Sequence, residues 1–262
     1  MRLDEARAFL AAQGAPHPAP VSGRVHSWDL STGVDGPGTR FVLFLSGCPL
    51  RCLYCQNPDT WNERDGAETS VGETLERIGR YRRIYDRTGG GVTISGGEPL
   101  LQPKFTAAVF RRCAEQGIHT ALDTSGTLGN RASDELLLDT DLVLLDIKSF
   151  TPTTYSRITG GGDVTPTLRF ARRLAGLERR VWIRFVLVPG LNDDPGNLEA
   201  LADFVAGLGN VDRVDVIGFH ALATPKYDAL GLPFPLAGRP LPTPQQTEQT
   251  RSYFRSRGLA VT

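Results

Sequence analysis

The chain has 262 residues, 40% hydrophobic and 22% charged, a balance typical of a soluble globular protein with room for one large domain or two small ones. Lysine plus arginine equals aspartate plus glutamate at 29 each, which excludes a general attraction to nucleic acid or to an anionic membrane and leaves recognition to a local site. No apolar run approaches the ~20 residues of a membrane span, and the opening "MRLDEARAFLAAQGAPHPAP" lacks the apolar core of a secretory signal, so a cytoplasmic protein is expected.

In chain order, residues 1–22 read as a short helix ("DEARAFLAAQG") and a proline-rich linker, a peripheral extension ahead of a single unit over 23–262. Buried-strand runs then follow at 40–46 ("RFVLFLS"), 91–95 ("GVTIS"), 119–124 ("HTALDT"), 142–148 ("LVLLDIK"), 179–188 ("RRVWIRFVLV") and 212–219 ("DRVDVIGF"). Helical stretches separate them, beginning with "SVGETLERIGRYRRIYDR", where a Ser or Thr cap stands three residues before Glu73. Strand–helix alternation predicts a parallel sheet. About six repeats are visible against the eight of a closed barrel, so the expected fold is α/β, a partial, open (β/α)6 TIM-like barrel, with a doubly wound open sheet as the runner-up. Either architecture puts a site at the C-terminal strand ends. Cys48, Gly96, Gly97, Glu98, Asp123, Asp146 and Lys148 all fall there.

Three of the four cysteines, Cys48, Cys52 and Cys55, crowd into "FLSGCPLRCLYCQNPDTW" with C-x3-C-x2-C spacing. Together with the lone Cys113, expected as a small buried residue, they do not make the framework of a secreted disulfide domain. Structural zinc normally takes four protein ligands, usually as two separated C-x-x-C pairs, and no second pair exists; His26 and His119 form no zinc-like pair. A four-iron cluster on three thiolates leaves one iron open to a small molecule. The spacing favours the cluster, and a zinc-binding interaction module is the alternative.

This stretch resembles the cluster motif of the radical S-adenosylmethionine (SAM) enzymes, and "SGGEPLLQP" (95–103) matches that family's GGE motif. Longer stretches narrow the resemblance. "VHSWDLSTGVDGPGTRFVLFLSGCPLRCLYCQNPDTW", "LDTSG", "DLVLLDIK", "VWIRFVLVPGLNDD" and "VIGFH" are similar to the glycyl-radical-enzyme activases of the pyruvate formate-lyase type over roughly residues 23–259. That resemblance implies a [4Fe-4S] cluster on Cys48, Cys52 and Cys55, and reductive cleavage of SAM to a 5′-deoxyadenosyl radical. The radical would abstract hydrogen from a backbone glycine of pyruvate formate-lyase, in anaerobic metabolism, with an electron donor such as flavodoxin. Another glycyl radical enzyme or a small molecule as substrate is the alternative within the superfamily.

The resemblance also assigns residues. Tyr54, Cys55 and Gln56 would lie near the adenine. Gly96, Gly97 and Glu98 form the motif that takes the SAM amino group, and Ile147, Lys148 and Ser149 would follow the strand past the cofactor. Arg184 would face the SAM carboxylate or ribose, and His220 would close the far side. Asp123, Thr124 and Asp146 resemble a monovalent-cation site, whose oxygen ligands suit a hard cation. The "DGPG" turn at 35–38 would lie where the partner's glycyl loop approaches, and the proline-rich segment 221–243 where a large protein substrate is gripped. By residue type alone, Asp123 would cap a turn and Asp146 with Lys148 would form a structural pair. Arg184, inside an apolar strand, requires a partner. Gln56 replaces the His often found at that position in the family, and no cysteine lies between Cys55 and Cys113, so the ferredoxin-like insert of other activases is absent.

Overall fold

The computed structural model describes residues 21–262; the helix expected near the N-terminus lies outside them. Eight strands form one sheet in the order β3-β1-β2-β4-β5-β6-β7-β8. They are β1 (Ser22–Thr32), β2 (Thr39–Leu45), β3 (Ala67–Ser70), β4 (Gly91–Gly96), β5 (His119–Thr124), β6 (Leu142–Asp146), β7 (Val181–Leu187) and β8 (Val211–Gly218). From β2 and β4 through β8 every neighbouring pair is parallel, while β1 pairs antiparallel with both β2 and β3. The edges, β3 and β8, do not meet, so the barrel stays open as expected. The two antiparallel strands are an addition to the expected set. β1 is exposed at most positions and β3 is four residues long, so neither carries a buried-strand run.

Alternation along each parallel strand divides the sheet into two faces. Phe41, Leu43, Leu45, Val92, Ile94, Leu122, Val143, Leu145, Ile183 and Phe185 pack with the helices into the main core. Those helices include α1 (Val71–Gly79), α2 (Arg82–Thr88), α3 (Pro103–Glu115), α4 (Asp134–Leu138), α5 (Pro152–Thr159), α6 (Thr165–Gly176) and α7 (Pro195–Ala206). The intervening strand positions hold Arg40, Thr93, Ser95, Asp123, Asp146, Arg184 and Asp215, giving the barrel a polar hollow over a small apolar floor of Ala121, Leu142, Leu144 and Trp182. The long helical pattern at 70–87 is two helices that break at Arg80–Tyr81. The expected cap is Ser70: its hydroxyl accepts from the Glu73 amide at 3.2 Å, and the Glu73 carboxylate accepts from the Ser70 amide at 2.8 Å.

After β8 the chain turns back over the C-terminal strand ends. Phe219, Tyr227, Phe234 and Leu236, with α8 (Thr224–Ala229) among them, pack on Tyr54, Ile158 and Leu191 in a second core. Tyr227 meets Trp61 edge-on at 5.8 Å and Phe234 at 5.0 Å. The segment 221–243 therefore lies against the cysteine loop. α9 (Pro244–Arg255) then returns to the helix layer through Phe254.

Candidate active site

The loop after β2 carries the three clustered cysteines and is fixed almost wholly by backbone bonds. Gly47 N donates to Thr60 O at 2.7 Å, Cys48 N to Trp61 O at 3.2 Å, and Arg51 N and Leu53 N to Thr159 O and Ile158 O at the end of α5. Arg51 donates to Cys48 O and Leu50 O at 2.7 and 2.8 Å and stacks over Trp61. No Cys is in a disulfide. Burial pushes the Cys48 thiol up to about 12 and the Cys52 thiol up to about 11, and raises Cys55 as well. Binding a metal there must displace thiol protons.

The three cysteines share one cavity with Leu50, Tyr54, Gln56, Asn57, Ser95, Gly96, Gly97, Asp123, Thr124, Ser125, Asp146, Lys148, Arg184 and Val186. The glycine motif is there for space: a Cβ on Gly97 would stand 2.2 Å from Gly47 O, and one on Gly96, at φ +110°, 2.3 Å from Leu45 N. Gly97 N and Glu98 N donate to Leu45 O and Gly47 O at 2.8 Å, which locks the ends of β2 and β4 together.

Charges line the opposite wall. Arg184 Nη1 lies 3.1 Å from Asp123 Oδ1 and 3.9 Å from Asp35 Oδ1, so the arginine has the partners its apolar strand demands. Asp123 raises the Arg184 guanidinium above the ordinary arginine value and keeps it charged. Asp123 Oδ2 also accepts from Ser95 Oγ at 2.6 Å. Lys148 Nζ donates to Asp146 Oδ2 at 2.6 Å and lies over the Tyr54 ring. Burial alone would lower the Lys148 ammonium; Asp146, Tyr54 and Cys52 outweigh it and hold the group well above the usual lysine range. Two polar atoms of cavity-lining residues, Tyr54 Oη and Arg184 Nε, are buried with no partner among the described residues.

Four residues expected at the cofactor do not line this cavity. Glu98 is 1% exposed and its carboxylate accepts from Thr124 Oγ1 (2.6 Å), Ser125 N (3.0 Å), Ser125 Oγ (2.6 Å) and Leu100 N (3.1 Å), so it braces the loops after β4 and β5. Ile147 is in the main core, and Ser149 Oγ donates to Asn197 Oδ1 at 2.7 Å. Both alternate with Asp146 and Lys148, so their side chains face the other way. His220 stands beside the site: its carbonyl accepts from Gln56 Nε2 at 3.3 Å, and its Nδ1 is buried without a partner. Of the three oxygens expected at a cation, Thr124 Oγ1 already donates to Glu98 and accepts from Gly126 N at 3.0 Å, leaving Asp123 and Asp146.

Sequence reasoning missed Ser95, Val186 and Asn192. The first two follow from strand alternation, two residues from Gly97 and Arg184. Asn192 has no local signal: fully buried, it donates to Lys148 O and Val186 O and accepts from Val188 N, joining the ends of β6 and β7.

The residues present fit an iron–sulfur cluster and an amino-acid-bearing nucleoside. Three soft sulfur donors share the cavity with glycines that admit close backbone approach, and ion-paired groups suited to carboxylate and amino moieties line its wall.

Comparison with known proteins agrees. The family model of the radical SAM superfamily matches residues 42–205. Pyruvate formate-lyase 1-activating enzyme of Escherichia coli strain K12 is 40% identical over 243 residues, 92% of this chain and 98% of that protein. The pyruvate formate-lyase-activating enzyme of Clostridium pasteurianum is 45% identical over 216 residues, 82% of this chain and 90% of that one. Among solved structures, a domain of pyruvate-formate lyase-activating enzyme from Bacteroides vulgatus aligns with a TM-score of 0.55 at 28% identity, covering 66% of this chain and 98% of that domain. A radical SAM methyltransferase from Sphaerobacter thermophilus shares the fold at a TM-score of 0.59 and 20% identity, over 98% of this chain and 80% of that one. With its three-cysteine loop, glycine motif and open barrel, the chain belongs to the radical SAM superfamily and, within it, to the pyruvate formate-lyase activating enzymes.

Proposed function

We propose that this chain converts a backbone glycine of pyruvate formate-lyase into a glycyl radical, receiving its electron in the cytoplasm from a donor such as flavodoxin. A [4Fe-4S] cluster and SAM are its cofactors. One observation carries the reading: Cys48, Cys52 and Cys55 line the same cavity as Gly97, Asp146, Lys148 and Arg184. Bound together, the two cofactors supply one-electron cleavage of SAM and, from it, hydrogen-atom abstraction from the partner's glycine.

The chain's own residues bind and orient. Cys48, Cys52 and Cys55 would hold the cluster, three ligands leaving one iron for SAM. Gly97, whose Cβ direction is taken by Gly47 O, would meet the methionine amino group through its backbone, and Arg184, held charged between Asp123 and Asp35, would face the carboxylate or ribose. Tyr54 and Gln56 would flank the adenine, and Lys148 is kept in place in the same cavity by Asp146. Asp123 and Asp146 would carry a monovalent cation. Residues 23–262 act as one unit, with segment 221–243 gripping the protein substrate. Among the described residues no helix is long and apolar enough to cross a membrane.

The test is electron paramagnetic resonance on anaerobically reconstituted protein mixed with pyruvate formate-lyase, SAM and reductant. A glycyl signal is expected on the partner; SAM cleavage without that signal means another radical SAM reaction, and zinc without acid-labile sulfide ends the cluster reading.

A further inference from the structure

Cys55 differs from Cys48 in what surrounds its sulfur. Cys48 takes a hydrogen bond from the backbone amide of Leu50, whereas Cys55 takes one from the Asn57 amide and a second from a side chain, that of Trp61. Burial raises the Cys55 thiol, and these two bonds pull it back. An indole has one polar hydrogen and no acceptor, so Trp61 Nε1–H is the donor and Cys55 Sγ the acceptor. The three-cysteine spacing does not call for that bond, since Trp61 lies beyond the loop, after the short helical turn Pro58–Thr60. The ring is clamped where it stands. Its backbone carbonyl accepts from Cys48 N at 3.2 Å, and its amide donates to Pro58 O at 3.2 Å. The Arg51 guanidinium stacks over the indole at 5.0 Å, and Tyr227, 1% exposed in the second core, meets it edge-on at 5.8 Å. Arg51 is itself tied to Cys48 O and Leu50 O. The cysteine loop and the C-terminal segment together fix one indole against one sulfur, with a guanidinium charge stacked on the same ring.

We infer that Trp61 is a positioning residue for the electron-accepting step: its indole N–H, held on Cys55 Sγ, favours the more negative, reduced state of the cluster and so sets the potential at which the electron for SAM cleavage is taken up. A hydrogen bond to a thiolate ligand is stronger the more charge that sulfur carries, and the difference between the two redox states raises the potential. The Arg51 charge on the same ring acts in the same direction. Trp61 does not line the cofactor cavity and works through Cys55. The inference rests on the [4Fe-4S] cluster and not on the identity of the protein partner.

The test compares holoenzyme carrying Trp61→Phe with the parent in a redox titration, reading the reduced cluster by electron paramagnetic resonance. Phenylalanine keeps a ring between Arg51 and Tyr227 and removes the N–H. The reduced-to-oxidised ratio at a fixed potential is expected to fall about tenfold, the order of one hydrogen bond to a charged group, which is a downward shift of about 59 mV. A parental or higher potential in Trp61→Phe with full iron and sulfide overturns the inference. A second measurement needs no variant. In parent protein carrying nitrogen-15 at the indole nitrogens, pulsed resonance of the reduced cluster is expected to show coupling to that nucleus. Trp28 stacks on Phe41 and Trp182 lies in the apolar floor, so of the three tryptophans Trp61 is the one at the cysteine loop. Absence of the coupling overturns the inference, including the case in which Trp61→Phe takes up no cluster. A loaded parent that shows the coupling but forms no glycyl radical on pyruvate formate-lyase sinks the proposed function instead and leaves the role of Trp61 standing.

Discussion

Cys52 stands in the middle of the cysteine loop, while Cys113 is buried among helix and strand residues of the main core. The two thiols make a matched experiment. Cys52→Ala removes one of three soft donors and is expected to abolish iron and acid-labile sulfide incorporation together with SAM cleavage. Cys113→Ala leaves all three in place; retained cleavage in Cys52→Ala would refute the ligand assignment. Glu98 illustrates a different residue-scale lesson. Its sequence context points at the cofactor, yet its carboxylate accepts four hydrogen bonds from the loops after β4 and β5. The partners Thr124 and Ser125 lie far off in sequence, so no local pattern reveals the bracing. A glutamine offers one oxygen and one amide nitrogen to four donors, so Glu98→Gln leaves buried groups unsatisfied. It should cost about 1–3 kcal/mol in urea unfolding, and a change below roughly 0.5 kcal/mol would contradict the bracing role.

The strand ends are the elements that build the site, and Gly97 is where two of them touch. Its missing Cβ is filled by Gly47 O and Gly47 C, at 2.2 and 2.7 Å from the ideal position, and both are backbone atoms of the cysteine loop. Gly97→Ala must push that loop away from β4. The expected result is a loss of about 1–3 kcal/mol together with reduced iron and sulfide per chain. Gly72→Ala in α1, whose Cβ meets only Ser70 Oγ at 3.9 Å, is the control. Full iron content and parental stability in Gly97→Ala would remove the steric argument. The parallel strands were legible because buried-on-both-faces segments are near-continuous apolar runs. β1 and β3 were not, because β1 is mostly exposed and β3 owes its place to pairing with β1. Inside the legible strands, alternation would have separated Asp146 and Lys148 from Ile147 and Ser149, and a motif match read as a continuous stretch hid that division.

For the molecule as a whole, the hollow has two ends with different electrostatics. The C-terminal end pairs its charges as Arg184 with Asp123 and Lys148 with Asp146. The other end buries Arg40 against His119, and that contact fixes the protonation state of the histidine. Arg40 can only donate, so His119 Nδ1 accepts and the ring is neutral. Burial first, then Arg40 and Arg180, lower His119 from 6.5 to about 4, with Asp141 pulling the other way. The sign of the linkage follows. Above pH 6.5 the ring is neutral whether the chain is folded or not, and stability is unaffected. Between 6.5 and about 4 the unfolded chain takes up a proton that the folded chain refuses, so stability falls as pH falls, and below 4 this contribution is fully lost. The expected loss is about 2 kcal/mol after allowing for the solvent-exposed part of the ring. In His119→Asn the amide oxygen accepts from Arg40 and nothing titrates. Urea unfolding of the two proteins at pH 7, 5.5 and 4.5 should therefore show curves that converge toward acid. Parallel curves would mean that His119 is protonated in the folded chain and that the hollow is braced at this end by some other contact.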